Sequence, residues 1–372
     1  MTIPLRPLLT LTLCTWLAAC SLSAPVSTPA PPPPALDETP ATTSNYWPTQ
    51  GWQASTPEAQ GVDAGKLEAM FQAIDEQDIN LHSVLIVRHG YLVAETYYPP
   101  YGPGTSHVQY SVTKSVVSAL LGIAIQEGYV ESIDQPALSY FGDWTVDASD
   151  PRRQAMTLEH LLTMTSGMQW DDSRDIDGLW RSRDWVQHML ERPMADPPGT
   201  RFTYNSGNTH LLSAVIQLTT GQTAQAFAGE HLFGPLGIRP GDTRWETDPH
   251  EFSIGGWGLY LTPRDMAKLG YLYLKEGTWE GRQVVPAAWV RASVEPRVAV
   301  DDAQEPWGLH YGYGWWVHEL SAYAAHGRAG QFIFVLPDLD MVVVFTSELE
   351  GTDFIQPELL LRDYIIPAAA SQ

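Results

Sequence analysis

The sequence predicts a mixed α/β (α+β) fold: an antiparallel sheet built from both chain ends and flanked by helices, with a mainly helical subdomain inserted at about residues 135 to 285. Three observations predict it. β-rich runs stand near the beginning, at residues 82 to 98, and near the end, between residues 311 and 347. Helical patterns fill the stretch between them, and most of these open at Ser, Thr or Asp, several closing at Gly. Strands at both termini around a helical block describe one sheet with helices on its faces, and the junction of sheet and insert is where a small-molecule cleft is expected.

The elements follow in order. Residues 1–19, MTIPLRPLLTLTLCTWLAA, carry one arginine, an apolar run too short to span a bilayer and a small-residue exit, which reads as a secretory signal peptide. The ending Leu17-Ala18-Ala19-Cys20 resembles the bacterial lipoprotein box, which implies cleavage before Cys20 and lipid attachment to it. Residues 20–45 are rich in Pro, Ala, Ser and Thr and read as an extended tether. By the same resemblance, Ser21 rather than an aspartate after the cysteine implies outer-membrane sorting, on the periplasmic face, in a Gram-negative host. Residues 46–372 then form the folded part.

In HSVLIVRHGYLVAETYY (82 to 98), Arg88-His89-Gly90 signals a hairpin turn. A Pro/Gly-rich link precedes an apolar helix that starts near Ser111. Helical patterns follow in TLEHLLTMTSG, SRDWVQHMLER, THLLSAVIQLTTG, TAQAFAGEHLF and TPRDMAKLGYLYLKEG. Strands return in YGYGWWVHE, GQFIFVLP and MVVVFTSE, the last two joined by a turn at Asp338-Leu339-Asp340, and the amphipathic PELLLRDYIIPAA closes the chain.

The formal charge of −22 argues against nucleic acid or anionic lipid surfaces as partners. Cys14 leaves with the signal peptide and Cys20 is acylated, so disulfides, thiol catalysis and cysteine metal sites are not expected. The eleven histidines show no His-Glu-x-x-His and no pair at metal spacing, and neither a metal nor a cofactor is expected. Gly-x-Ser-x-Gly and phosphate-cradling glycine loops are also absent.

One residue is out of place. Ser111 stands where an N-cap belongs, and three positions later, where an acidic or amide side chain would suit the helix dipole, stands Lys114. Lysine is scarce here, occurring only at 66, 114, 268 and 275. Burial and the dipole both lower an ammonium pKa, and a neutral amine one turn from a serine hydroxyl can take its proton. The alternative on this fragment is a capping serine with a lysine that reaches solvent.

The ordered stretches SVTK (111 to 114), LEHLLTMTSGM (158 to 168), PGTRFTYNSGN (198 to 208), GGWGLYLTPRDMAKLG (255 to 270) and GRAGQFIFVLP (327 to 337) decide between these. Together they resemble the serine β-lactamase and penicillin-binding-protein superfamily, in its class C-like branch of esterases and 6-aminohexanoate-dimer hydrolases. The resemblance runs over residues 52 to 350. It implies that Ser111 is the acylated nucleophile, Lys114 its base and Tyr204 a proton relay, the phenol ionising readily between two cations. It implies an oxyanion hole from the backbone N–H groups of Ser111 and Arg328. Substrate contacts are implied at Ser206, Asn208, His326, Gln331 and Trp170, with His326 either a binding side chain or a strand-end histidine. Trp180, Trp185, Trp257, Trp315, Trp316 and Tyr313 either wall an apolar pocket or pack in the core, the latter expected for most.

The chain departs from the β-lactamase pattern in having Tyr204-Asn205-Ser206 rather than Tyr-x-Asn, and His326-Gly327-Arg328 rather than Lys-Thr-Gly. The expected activity is therefore acyl-enzyme hydrolysis of an ester, short amide or short peptide-like substrate. A D,D-peptidase or class C-like β-lactamase is the alternative, and a non-catalytic binding protein that keeps the fold is a third reading.

Overall fold

The computed structural model describes residues 46–147, 149–300, 310–318 and 322–370, all within one compact unit of the chain. The signal peptide, the tether and Cys20 lie outside the described residues.

The expected hairpin is present as β1 (Leu81–Arg88) and β2 (Tyr91–Tyr97). His89 and Gly90 between them have φ of 51° and 84°, the left-handed pair that a two-residue hairpin turn needs to match strand twist. The later strands are β3 (Val298–Ala299), β4 (His310–Tyr311), β5 (Trp316–His318), β6 (Ala322–Gly327), β7 (Gln331–Leu336) and β8 (Met341–Ser347). β8 pairs antiparallel with β1, setting Leu85 opposite Val344 and Val87 opposite Val342. The sheet order β2-β1-β8-β7-β6-β5-β4-β3 therefore joins the two ends of the chain, as the patterning predicts.

Both faces of this sheet are covered, which is why its central strands read as continuous apolar runs rather than strict alternations. Leu85, Val87, Ile333, Val335, Val342 and Val344 face one core; Val84, Ile86, Phe332, Phe334, Val343 and Phe345 face the other. The helices are α1 (Ala64–Glu76), α2 (Val112–Gln126), α3 (Asp172–Arg181), α4 (Ser206–Thr220) and α5 (Pro263–Leu274). α1 and the helical turns over 356–369 close the second core, with Leu67, Met70, Leu360 and Ile365 buried there. α2 and α5 pack on the first face, and the first core continues from them into the helical part of the chain. Burial of one such aliphatic side chain contributes about 1.5–3 kcal/mol, so two continuous cores fix the layer order strongly.

Thr157, Asp184, Thr223 and Thr262 cap helices by accepting backbone N–H bonds, in agreement with the start signals of the sequence, whereas Asn205 caps α4 four residues ahead of the expected opening at Thr209. The structure adds two things. α3 has no counterpart among the expected helices, because Asp172-Ser173-Arg174-Asp175 and Gly178 make it mostly polar. The inserted region also contains strand Leu259–Leu261, which pairs with His107–Val108 and Arg244–Trp245 in a small second sheet. Among the described residues no helix is long and apolar enough to cross a membrane.

Candidate active site

The site grows from the start of α2. Tyr110 has φ of 44°, a left-handed conformation that a bulky residue adopts only at a cost of roughly 1–3 kcal/mol. Ser111 holds the N-cap position, yet at φ −72° and ψ −9° its hydroxyl caps nothing. That expectation is corrected, and the reason is that Ser111 Oγ is engaged by Lys114. Lys114 does not reach solvent; it is 1% exposed. Its Nζ lies 2.8 Å from Ser111 Oγ, 3.0 Å from Ser206 Oγ and 2.8 Å from the carbonyl of Gly256. Gly256 is a glycine because a Cβ there would stand 2.8 Å from Ser206 Cβ.

Burial drives the Lys114 pKa down from 10.5 to about 8, and the Asp172 carboxylate pulls it part of the way back up. A drop of that size corresponds to roughly 3 kcal/mol against the charged form. The polar atoms close into one consistent scheme when the amine is neutral. Ser111 O–H donates to Nζ, the two N–H groups donate to Ser206 Oγ and the Gly256 carbonyl, and Ser206 O–H donates to Asp172 Oδ2 at 2.6 Å. Asp172 also accepts from the backbone N–H of Ser206 at 3.0 Å and from Trp170 Nε1.

Asp172 is thus a site residue that sequence reasoning missed. It sits in the first turn of α3, whose N-cap is Asp171. The signal available was the acidic first turn after Trp170, which marks a helix start. Nothing in the one-dimensional pattern aims this carboxylate at Ser206, 34 positions away.

Tyr204 precedes α4 and joins the group from the other side. Its ring lies under Lys114 Nζ, 4.7 Å from the centroid, and stacks on Trp316 at 5.7 Å. The expected easy ionisation is not found. Burial pushes the Tyr204 pKa up, its hydrogen bond with Ser111 draws it down by less, and Asp172 raises it further. The cation expected beside it is an amine poised to be neutral, so the phenol stays protonated and can act as a hydrogen-bond donor.

A cavity of about 570 Å³ opens over Ser111. One wall is Asp172, Ile176 and Trp257 from the helical part; the other is Trp316, His326, Gly327 and Arg328 from the sheet, with Phe354 at the side. The cleft therefore lies between sheet and insert, as the element order predicts. Gly314, with φ of 76°, lets the chain before Trp316 approach α2: a Cβ there would be 2.9 Å from the Lys114 carbonyl.

Ser111, Lys114, Tyr204, Ser206, His326 and Arg328 are brought together. Ser206 does so in a different role, because its hydroxyl is committed between Lys114 and Asp172 rather than open to substrate. Asn208, Gln331 and Trp170 do not line the cavity. Asn208 is buried in the first turn of α4, its side chain beside Met164 Sδ. Gln331 is buried with Nε2 bonded to the Ser347 carbonyl at 2.6 Å. Trp170 is buried and orients Asp172 through its Nε1. Of the remaining aromatics, Trp257 and Trp316 wall the cavity, Trp185, Trp315 and Tyr313 are core, and Trp180 is exposed.

A family model described as Beta-lactamase matches residues 67–363. The chain belongs to the beta-lactamase family. A 6-aminohexanoate-dimer hydrolase of Paenarthrobacter ureafaciens is 23% identical over 353 residues, 86% of this chain and 89% of that protein. Esterase EstB of Burkholderia gladioli is 24% identical over 211 residues, 49% of this chain and about half, 53%, of that protein. Among solved structures, EstCE1, described as a hydrolase with promiscuous acyltransferase activity, shares the fold with a TM-score of 0.67 at 19% identity, covering 81% of this chain and 98% of that one. This beta-lactamase-family chain is a serine hydrolase.

Asp172→Asn tests the coupling of the carboxylate to Lys114. Loss of the negative charge lowers the Lys114 pKa further, so the acid limb of the kcat/KM profile moves to lower pH. A profile whose midpoint stays in place would show that the Asp172 carboxylate does not set the Lys114 titration.

Proposed function

We propose that this chain hydrolyses esters or short amides through an acyl-enzyme on Ser111. The observation that carries the reading is the Ser111 hydroxyl 2.8 Å from a buried amine whose pKa is lowered to about 8, at the floor of a largely apolar cavity. Ser111 Oγ attacks the carbonyl carbon as its proton passes to Lys114 Nζ. The backbone N–H groups of Ser111 and Arg328 receive the developing oxyanion, a contribution of several kcal/mol where such donors are preorganised. Tyr204, hydrogen-bonded to Ser111, hands a proton to the departing oxygen or nitrogen. Lys114 returns its proton to the Tyr204 phenolate, water then attacks the acyl carbon as its proton passes to the neutral amine, and that proton goes to Ser111 Oγ as the acid is released.

Linear substrates suit the walls better than β-lactams. Ser206 is held between Lys114 and Asp172, so it offers no free donor to a side-chain amide. The strand carries Arg328, with an exposed side chain, where a buried Lys-Thr-Gly cation would stand. Ile176, Trp257, Trp316 and Phe354 favour an alkyl or aryl acyl group. The relatives named as an esterase and as a 6-aminohexanoate-dimer hydrolase support both bond types. A panel of p-nitrophenyl esters, aminohexanoate oligomers, nitrocefin and D-Ala-D-Ala peptides tests this. Ester or linear-amide turnover should exceed β-lactam turnover; rapid acylation by labelled penicillin with no ester turnover would replace this reading with a D,D-peptidase or β-lactamase.

The same proposal places the enzyme outside the inner membrane, anchored by lipid at Cys20 on the periplasmic face. Support comes from Leu17-Ala18-Ala19-Cys20 and the tether that follows. Wild-type protein should fractionate with membranes and incorporate labelled palmitate, and Cys20→Ser should lose both. Equal membrane recovery of the variant would rule out this anchor.

A further inference from the structure

Along the sequence the histidines show no metal-binding spacing, but strand pairing creates one. β5 and β6 run antiparallel with Trp316 opposite Ala324 and His318 opposite Ala322. His318 therefore points to the same face as Ala322, Ala324 and His326, the face covered by the C-terminal helical turns. Glu358 comes from the first of those turns, Gln356–Leu360. One ligand atom from each of His318, His326 and Glu358 lies within 4.8 Å of the other two. His326 Nε2 is 3.8 Å from Glu358 Oε1, and the two imidazole centroids are 5.4 Å apart.

The burial of the trio separates it from an ordinary polar surface cluster. The three residues are 5%, 6% and 2% exposed. Their surroundings are apolar, with the His326 ring 4.6 Å from Phe332 and the His318 ring 6.2 Å from Phe334. His326 Nε2 is buried and has no hydrogen-bond partner among the described residues, although it faces the carboxylate. Leaving such a buried nitrogen without a partner costs about 1–3 kcal/mol, which a bound cation would offset.

We propose that His318, His326 and Glu358 bind a divalent transition-metal cation, Zn²⁺ foremost. Two neutral imidazoles and one carboxylate are a ligand set that zinc accepts, and three protein ligands leave one position for water. Tetrahedral zinc with ligands at about 2.1 Å holds its donor atoms about 3.4 Å apart, so side-chain rotations that close the gaps of up to 4.8 Å by at most about 1.4 Å complete the site. Because His326 also forms part of the cavity wall, the cation enters from the cavity. Bound there, it ties β5 and β6 to the C-terminal helical layer and fixes the strand that leads into Gly327 and Arg328. It does so behind the Ser111 chemistry, which needs no metal.

The test uses the untagged full-length chain, stripped with chelator and dialysed, titrated with ZnCl₂ by calorimetry and followed by thermal unfolding. One equivalent should bind with a Kd of about 1 μM or lower, raising Tm by several degrees. Mg²⁺, which prefers all-oxygen ligands, should bind at least about a hundredfold more weakly. His318→Asn and Glu358→Gln should each weaken zinc binding by roughly tenfold or more, while Ser111→Ala binds as wild type does. Wild type taking up no zinc, Mg²⁺ binding as tightly as Zn²⁺, or the same zinc affinity in both folded variants would overturn the assignment. Should both variants fail to fold, wild type loaded with Co²⁺ decides: absence of the visible absorption of a tetrahedral cobalt site overturns it as well.

Discussion

Ser111→Ala should abolish ester hydrolysis, with kcat/KM falling by roughly 10⁴-fold or more and fluorophosphonate labelling lost, while the protein remains folded. The size follows from what the hydroxyl does. It is the atom that faces both the Lys114 amine and the cavity, and no second hydroxyl replaces it, since Ser206 is committed to Lys114 and Asp172. The fold is spared because the Ser111 hydroxyl caps no backbone N–H of α2, and an ordinary capping loss of about 1 kcal/mol does not arise. Lys114 keeps two partners in the variant, Ser206 and the Gly256 carbonyl. Circular dichroism and Tm near wild type, together with lost turnover, would be the signature; near-normal turnover would move the nucleophile elsewhere.

The second large effect is carried by Lys114 and is visible in pH. With a pKa lowered to about 8, the amine is protonated below that pH and has no lone pair for the Ser111 proton. kcat/KM should therefore rise about tenfold per pH unit below the midpoint and level off above it, the direction expected of a base that must be neutral. Lys114→Met keeps the length and apolar stem and removes the base. Its kcat/KM should fall by roughly 10²–10⁴-fold, and the limb near pH 8 should vanish. A surviving limb at the same pH in Lys114→Met would assign the titration to another group.

The parts of the site that were legible in the sequence are local. Ser111 and Lys114 lie one turn apart on a helix, so their meeting follows from the helical repeat alone. The hairpin at His89-Gly90, the strands of the last third and the cap of α5 are local in the same sense, each set by residues within a few positions. Even the cleft was foreseeable, because strands at both ends must meet and the insert must project from them.

What the sequence misplaced depends on contacts between distant segments. Ser206 looked like a substrate donor until α3 delivered Asp172 to its hydroxyl. Tyr204 was expected to ionise, but burial and the Asp172 carboxylate outweigh its hydrogen bond with Ser111 and reverse the direction, and these groups come from separate stretches of the chain. Asn208 and Gln331 carried motif positions and Trp170 stood close to one, yet rotation about a helix or strand by one residue turns a side chain from cavity to core.

The sequence by itself therefore determined the sheet formed from the chain's two ends, the helices that flank it and the Ser111–Lys114 pair, because periodicity and one-turn spacing act over a few residues. Only the tertiary structure decided that Asp172 completes the proton network, that Tyr204 stays protonated and that His318, His326 and Glu358 converge. The physical reason is that burial and electrostatic fields sum over every segment packed around a group, and that sum exists only once the chain has folded.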